Sequence, residues 1–416
     1  MSGGLAVVET AAPVKRGKPS PMLYVLIAVA ALLVLSAVRV ITGATDLTAT
    51  GSWQAALTAA VPIAMAGLAG LWAERAGVIN IGLEGMMVLG TFGAGYAGYQ
   101  WGPWAAIGFG VLLGVLGGAL HALATVTFGV DHIISGVAIN LLAPGAALYL
   151  SKQFFSDAPG GGQKQSPRIA DAEKVSVPGL PDLLGSVERK GWFFVSDVAG
   201  ILRGLTTEVS LLTLLAVALV IGSVYVLWRT PFGLRLRSCG EAPVAAESLG
   251  VNVYKYKYYA VVASGAFAGL GGAILAVSSG QFRDGQTGGR GFIGLAAMIF
   301  GNWRPGGMAT GAGLFGYTDA LALRGSIAVH ALLLLLAIAL VAVAVWQYRL
   351  GAPVLSGVAA AIGVAFAWWY FSSDELPPEL VGTAPYVVTV LVLALASQRL
   401  RTPKAVGEIY RKGQGK

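Results

Sequence analysis

Along the chain, apolar runs of membrane-crossing length alternate with short polar or glycine-rich links. The runs fall at about 22–41, 53–73, 78–100, 104–128 and 132–150. After a long polar stretch they resume at about 208–228, 259–279, 291–302, 307–323, 327–346, 353–371 and 384–398. The expected fold is therefore all-α and integral to the membrane, with about 10–11 transmembrane helices. Crossing hydrocarbon takes about 20 apolar residues, so 291–302 is too short for an ordinary span. Leu68–Gly98 breaks the pattern in another way, placing Glu74, Arg75, Asn80 and Glu84 within eleven residues, among eight glycines. Ionised groups in hydrocarbon are costly, so these side chains should face protein or water and mark a functional site. The glycines permit close helix contact and a break in the helix.

A weak internal repeat links the two irregular regions. Ile81-Gly82-Leu83-x-x-Met86 recurs as Ile293-Gly294-Leu295-x-x-Met298, 212 residues later. The first copy lies in a segment expected to run outward and the second in one expected to run inward. Two inverted repeats, with broken or re-entrant segments near 74–90 and 290–305, would place two helix breaks around a substrate.

Charge placement sets the topology. The tail 1–21 carries Lys15, Arg16 and Lys18, and the tail 399–416 holds six Lys/Arg against one acid, Glu408. The loop 229–258 carries Arg229, Arg235, Arg237, Lys255 and Lys257. Lys/Arg excess marks the cytoplasmic side, so both tails and this loop are expected inside, around a transmembrane domain over 22–398. The insertion 151–207, counted through Glu208, balances seven Lys/Arg with seven Asp/Glu and is expected outside. Short helices are expected there around Pro181–Leu184 and Asp197–Leu202, with Ser166 open to solution. The C-terminus then returns inside only if 291–302 crosses at least in part.

Composition narrows the classes. Of 416 residues, 56% are hydrophobic and 12% charged, against roughly 25% charged in soluble domains. The net charge of +8 needs no nucleic-acid partner, because topology accounts for it. One cysteine, Cys239, leaves no intramolecular disulfide. The phosphate loop G-x-x-x-x-G-K-[ST], the G-x-S-x-G elbow and the H-E-x-x-H zinc pattern do not occur. His121, His132 and His330 are far apart in sequence. No catalytic residue, metal ligand or cofactor held by this chain is expected, which disfavours a membrane enzyme.

The loop from Arg237 to Gly250 carries a different kind of signal. Pro243 suits the first turn of a short helix and Gly250 its left-handed C-terminal cap. With Ala245 and Ala246 exposed and Glu241 and Glu247 beside them, this helix fits a groove on a cytosolic partner; an ordinary solvated connector is the alternative. Ala245-Ala246-x-x-x-Gly250 resembles the coupling helix of ABC importer permeases, although the Glu usual before the Ala pair is Val244 here. Ala263–Ala273 (ASGAFAGLGGA) resembles the following span in the branched-chain amino acid, simple-sugar and nucleoside permease family. Glu74–Met87 (ERAGVINIGLEGMM), Asp131–Ala143 (DHIISGVAINLLA), Leu295–Pro305 (LAAMIFGNWRP) and Pro403–Tyr410 (PKAVGEIY) are similar to its nucleoside-type members. The resemblance covers about 50–150 and 205–410 and departs at the insertion and the longer first tail.

The resemblance implies one half of a translocation pore in a bacterial plasma membrane. It further implies a second related permease, most simply as a heterodimer, a cytosolic ATPase that consumes ATP, and an extracytoplasmic substrate-binding lipoprotein. A sugar or another small polar solute is the rival cargo. A stand-alone secondary transporter or channel is the rival class, since those also use inverted repeats. Asn80, Asn140 and Asn302 read either as interhelical glue or as contacts to a base edge or ribose hydroxyl. Phe282 and Trp303 read either as stacking platforms or as packing and interfacial groups. Glu84 reads as a pathway contact or as a partner of Arg75 or of a broken backbone. Glu74 and Arg75 read as structural, and Asp131 as a helix cap.

Overall fold

The structure is a computed structural model that describes residues 21–384, 386–387, 390 and 400–413. The first tail up to residue 20 and most of the span expected at 384–398 lie outside these residues. In chain order the first half holds α1 (Pro21–Thr42), α2 (Thr50–Arg75), α3 (Leu83–Trp101), α4 (Pro103–Ala122, continued by a π turn over Leu123–Thr127) and α5 (His132–Phe155). The insertion carries β1 (Lys174–Val175), α6 (Leu180–Glu188), α7 (Val195–Thr206) and β2 (Val209–Ser210), with Lys174 opposite Ser210 in an antiparallel pair. Then follow α8 (Leu211–Arg229), α9 (Pro231–Glu241), α10 (Pro243–Ser248) and α11 (Val253–Ser278). The chain continues through α12 (Arg290–Phe300), α13 (Pro305–Ala322), α14 (Ser326–Arg349), α15 (Pro353–Ser372) and α16 (Pro378–Val381).

Among the described residues, eight helices are long and apolar enough to cross a membrane. Two more, α3 and α13, have 19 and 18 residues but are rich in glycine and alanine and packed inside. The centre of the bundle is α2 and α11, 67% and 72% buried, whereas α1 and α15 are 17% and 11% buried and face outward. Small residues bring the central helices together. A Cβ on Gly269 of α11 would lie 2.4 Å from the Gly110 carbonyl oxygen and 2.7 Å from Gly114 Cα on α4. At four-residue spacing these glycines form one continuous seam, so dispersion between backbones replaces side-chain interdigitation.

The two ends of the bundle differ. The insertion covers the end where α2 and α8 begin and α11 and α13 finish. The α9–α10 loop covers the opposite end. Ser166, expected in solution, is buried there instead. Its N–H donates to the Phe282 carbonyl and its hydroxyl accepts from the Phe282 N–H, both at 3.0 Å. The insertion is thus stitched to the link after α11 rather than projecting freely.

Both expected breaks are present. Helix α2 stops at Arg75 and α3 starts at Leu83, while α12 stops at Phe300 and α13 starts at Pro305. Asn80, in the first break, lies beside Ser264, eleven residues into α11 from Val253. At 1.5 Å per residue that is about 16 Å from the α11 start, well inside a hydrocarbon layer about 30 Å thick. Helix α12, with 11 residues, spans only about half that thickness. Of the two repeat copies, Ile81-Gly82 lies in the turn that opens α3, and Ile293-Gly294 lies in the first turns of α12.

Candidate functional site

The site is built where two helix starts meet. Helix α3 heads for the insertion end and α12 for the α9–α10 end, and they begin next to each other. A Cβ on Gly291 would lie 2.6 Å from Glu84 Cα, so no larger residue fits this contact. The Glu84 carboxylate fills the junction: Oε1 accepts from Gly289 N–H at 2.9 Å and Oε2 from Gly291 N–H at 2.7 Å. It sits in the first turn of α3 and against the first turn of α12, where two helix dipoles both favour negative charge.

The far end of α12 is held from α2. Trp303 Nε1 donates to Glu74 Oε2 at 2.6 Å, and Arg75 donates from Nε and Nη2 to the Trp303 carbonyl at 3.0 and 2.6 Å. Asn302 and Trp303 are both in the left-handed region, each with φ of 54°. The bonds to Trp303 fix this turn, and Asn302 Oδ1 also accepts from the Arg401 N–H at 2.7 Å. Residues 74–84 therefore clamp both ends of one short helix.

Unwound backbone at membrane depth must find partners within the protein. Asn140 supplies two, accepting from Gly85 N–H at 2.8 Å and donating to the Ile81 carbonyl at 2.9 Å. His121 Nε2 lies 3.0 Å from the Ile79 carbonyl, and the Ile79 N–H donates to His132 Nδ1 at 3.4 Å. Asn80 is wholly buried and donates to Ser264 Oγ at 2.9 Å. Asp131 caps α5 by accepting from the Ile133 and Ile134 N–H groups. Phe282 is 1% exposed and packs with Phe92 and Phe155.

Above the junction, towards the insertion, opens a cavity of about 550 Å³. Its walls include Gln54 and Thr58 of α2, Asp171 and Lys174 of the insertion, Ser278 of α11 and Ser279 just beyond it, and Arg324. At its edge Arg290 Nη2 bonds Asp319 Oδ2 at 2.7 Å. Arg290 lies between the two residues that Glu84 caps. None of Asn80, Glu84, Asn140, Phe282, Asn302 and Trp303 lines this cavity; Glu84 is one residue removed from its wall, and the others hold the breaks or the packing behind it. Arg290, Asp319 and the two histidines were not among the sequence candidates. Asp319 inside the apolar run 307–323 was the signal for the ion pair. Among the described residues no three His, Cys, Asp or Glu side chains are grouped to hold a metal ion.

At the opposite end, α10 ends as its glycine predicts. Gly250 has φ of 82°, its N–H donates to the Glu247 carbonyl at 2.8 Å and the Val251 N–H to the Ala246 carbonyl at 3.0 Å. This double bond pattern closes the helix. Ala245 is exposed, but Ala246, expected beside it at the surface, is 3% exposed and packs with Cys239 and Val253. One helical step of 100° separates neighbours, so both cannot face out. Leu249 is 85% exposed and Val244 40%. Glu241 lies 3.9 Å from Arg75, joining this loop to the α2–α3 break. The tail motif straps the same region: Ala405 N–H donates to the Gly240 carbonyl at 2.9 Å and Gly407 N–H to the Gly77 carbonyl at 3.2 Å.

Cys239 is buried beneath this loop, and burial pushes its thiol up to about 11, with nearby Lys257 opposing the shift more weakly. At pH 8 only about one molecule in a thousand then carries the reactive thiolate. N-ethylmaleimide should leave Cys239 unlabelled in the native protein and label it after denaturation in SDS. Rapid native labelling at pH 8 would show the loop packed differently.

An all-helical membrane bundle with two broken-helix junctions, one facing a polar cavity, is a solute-conducting architecture. The chain belongs to the family described as branched-chain amino acid transport system / permease component, whose model matches residues 52–343. It is 35% identical over 362 residues to the nucleoside ABC transporter permease protein NupC of Lactococcus lactis subsp. cremoris, covering 85% of this chain and 94% of that one. It is 36% identical over 369 residues to the guanosine ABC transporter permease protein NupQ of Bacillus subtilis, covering 86% and 96%. A candidate glucose ABC transporter permease protein of Haloferax volcanii, TsgC13, is 32% identical over 369 residues, covering 87% and 98%.

Proposed function

We propose that this chain is a membrane-spanning permease subunit of an ATP-driven importer that moves nucleosides across the bacterial plasma membrane. The observation that carries the reading is near full-length similarity to two permeases named for nucleoside and guanosine transport. The geometry supports it. A cavity of about 550 Å³ lies within the range of about 300–1,000 Å³ usual for small-molecule sites. Its amide, hydroxyl and carboxylate groups suit a base edge and ribose hydroxyls.

Basic residues cluster at the α9–α10 end, so that end is taken as cytoplasmic, with both termini on the same side. A cytosolic ATPase would dock on α10 through Ala245, Gly250 and the exposed Leu249, with Glu241 and Glu247 beside them, and would supply the energy of ATP hydrolysis. A second related permease would complete the pore as a heterodimer, and an extracytoplasmic binding lipoprotein would deliver cargo to the cavity end. Asn80, Glu84, Asn140, Asn302 and Trp303 then shape the pathway by holding its breaks, and Phe282 by packing behind them. Simple-sugar cargo is the second reading, favoured by the similarity to TsgC13.

The test is uptake of radiolabelled guanosine in cells lacking other nucleoside transport and expressing all four components. Uptake should require the ATPase and the binding protein, and unlabelled nucleosides but not glucose should compete. Competition by glucose alone would transfer the assignment to sugars. Uptake without the ATPase would overturn the ATP-driven class.

A further inference from the structure

The insertion 151–207 carries an unusual helix. Ser196, Asp197, Ala199, Gly200, Ile201 and Gly204 of α7 are buried against the protein. The opposite stripe is apolar yet turned outward: Val195, Leu202 and Leu205 are 48%, 45% and 36% exposed, with the partly exposed Val198 between them. Positions 195, 198, 202 and 205 recur at helical spacing, so the stripe runs the length of the helix. Trp192 and Phe193, each 54% exposed, extend it at the α7 N-terminal end.

The helix is fixed in place. Arg39 of α1 pairs with the buried Asp197 at 2.6 Å, and Thr48 Oγ1 donates to the same carboxylate at 2.6 Å. A Cβ on Gly204 would lie 2.5 Å from the Thr50 carbonyl oxygen, so α7 lies directly on the first residue of α2. Helix α2 has 26 residues, about 39 Å at 1.5 Å per residue, against about 30 Å of hydrocarbon. Its first turn, and α7 with it, therefore falls at the boundary between acyl chains and headgroups.

We infer that α7 is an interfacial helix whose apolar stripe is embedded in the membrane leaflet at the insertion end, with lipid as its partner. The chemistry matches that boundary. Arg189 and Lys190 are exposed, and Lys190 Nζ lies 4.5 Å above the Trp192 ring. Cations reaching headgroups beside Trp and aliphatic side chains are the signature of an interfacial anchor. The face of α7 opposite the stripe is pinned to α1, a helix that itself faces outward. Arg39, which holds α7, is followed on α1 by Val40 and Ile41, 59% and 66% exposed. The anchor serves the cavity, because Gly204, Thr207 and Glu208 form part of its wall. This inference does not depend on the cargo.

The test uses the complete transporter in nanodiscs of phosphatidylcholine and phosphatidylglycerol. Leu202→Cys and, separately, Leu205→Cys are labelled with bimane, with Val177→Cys in the exposed insertion loop as the control. Lipids spin-labelled near the headgroup should quench the two α7 positions at least about twofold more than the control. Quenching only by aqueous iodide would overturn the inference. So would resistance to both quenchers, or loss of lipid quenching when the binding protein is added, since each places protein or water on the stripe.

Discussion

Replacing Gly269 with valine is expected to leave little folded protein. The new Cβ would lie 2.4 Å from one backbone atom of α4 and 2.7 Å from another, with Gly114 N at 3.0 Å. Backbone cannot rotate aside as a side chain can, so α4 and α11 must separate along the seam. Overpacking in a yielding core costs about 1–3 kcal/mol; here the yielding element is missing, and a loss of about 3 kcal/mol or more is expected. The seam joins two elements of the central bundle, so the damage should be global. Thermal unfolding followed by size-exclusion of the solubilised protein reads the result. Gly108→Ala on α4, the facing helix, is the control, because nothing lies within 4 Å of its Cβ position. Equal stability of Gly269→Val and wild type would mean that α4 and α11 are not in backbone contact.

Glu84→Ala should spare most of the fold and remove most of the transport. The carboxylate makes two hydrogen bonds to the start of α12, and bonds to a charged group are each worth about 1.5–3 kcal/mol. Without it, two N–H groups at membrane depth lose their acceptor and the α3–α12 junction loosens. Because every 1.4 kcal/mol is tenfold, a shift of this size in the junction's equilibrium lowers uptake by about tenfold or more. Glu84→Gln should be intermediate, since one amide oxygen can still accept a bond while its NH2 opposes the second N–H. The measurement is ATP-dependent nucleoside uptake normalised to assembled transporter. Wild-type uptake by Glu84→Ala would reduce the carboxylate to local packing.

The polar residues of Leu68–Gly98 turn out to share one task. Glu74 and Arg75 hold the end of α12, Glu84 holds its start, and Asn80 ties the unwound segment to α11. From sequence alone Glu74 and Arg75 read as structural, whereas Asn80 and Glu84 stay open between a pathway contact and a packing role. In the structure the distinction is one of position: Glu84 backs the cavity wall, Glu74 and Asn80 are buried in the packing, and Arg75 lies at the end towards the α9–α10 loop. His121 and His132 could not be assigned this way in sequence, because they serve a backbone carbonyl and N–H that belong to another helix pair.

Local rules were enough for several features. Hydropathy set the helical class, because a chain in hydrocarbon must satisfy its own backbone groups. Glycine and charge in Leu68–Gly98 marked the first break, the short run 291–302 marked the second, and Pro243 with Gly250 bounded α10. What only the tertiary structure decided was which groups meet. It buried Ala246 and Ser166, set Phe282 among aromatics, and joined Arg290 to Asp319. It also turned an insertion without an evident role into a cavity wall. Apart from the burial of Ala246, those outcomes depend on contacts between residues 29 to 190 positions apart in sequence, and hydropathy along a chain carries no information about which distant segment lies across the gap.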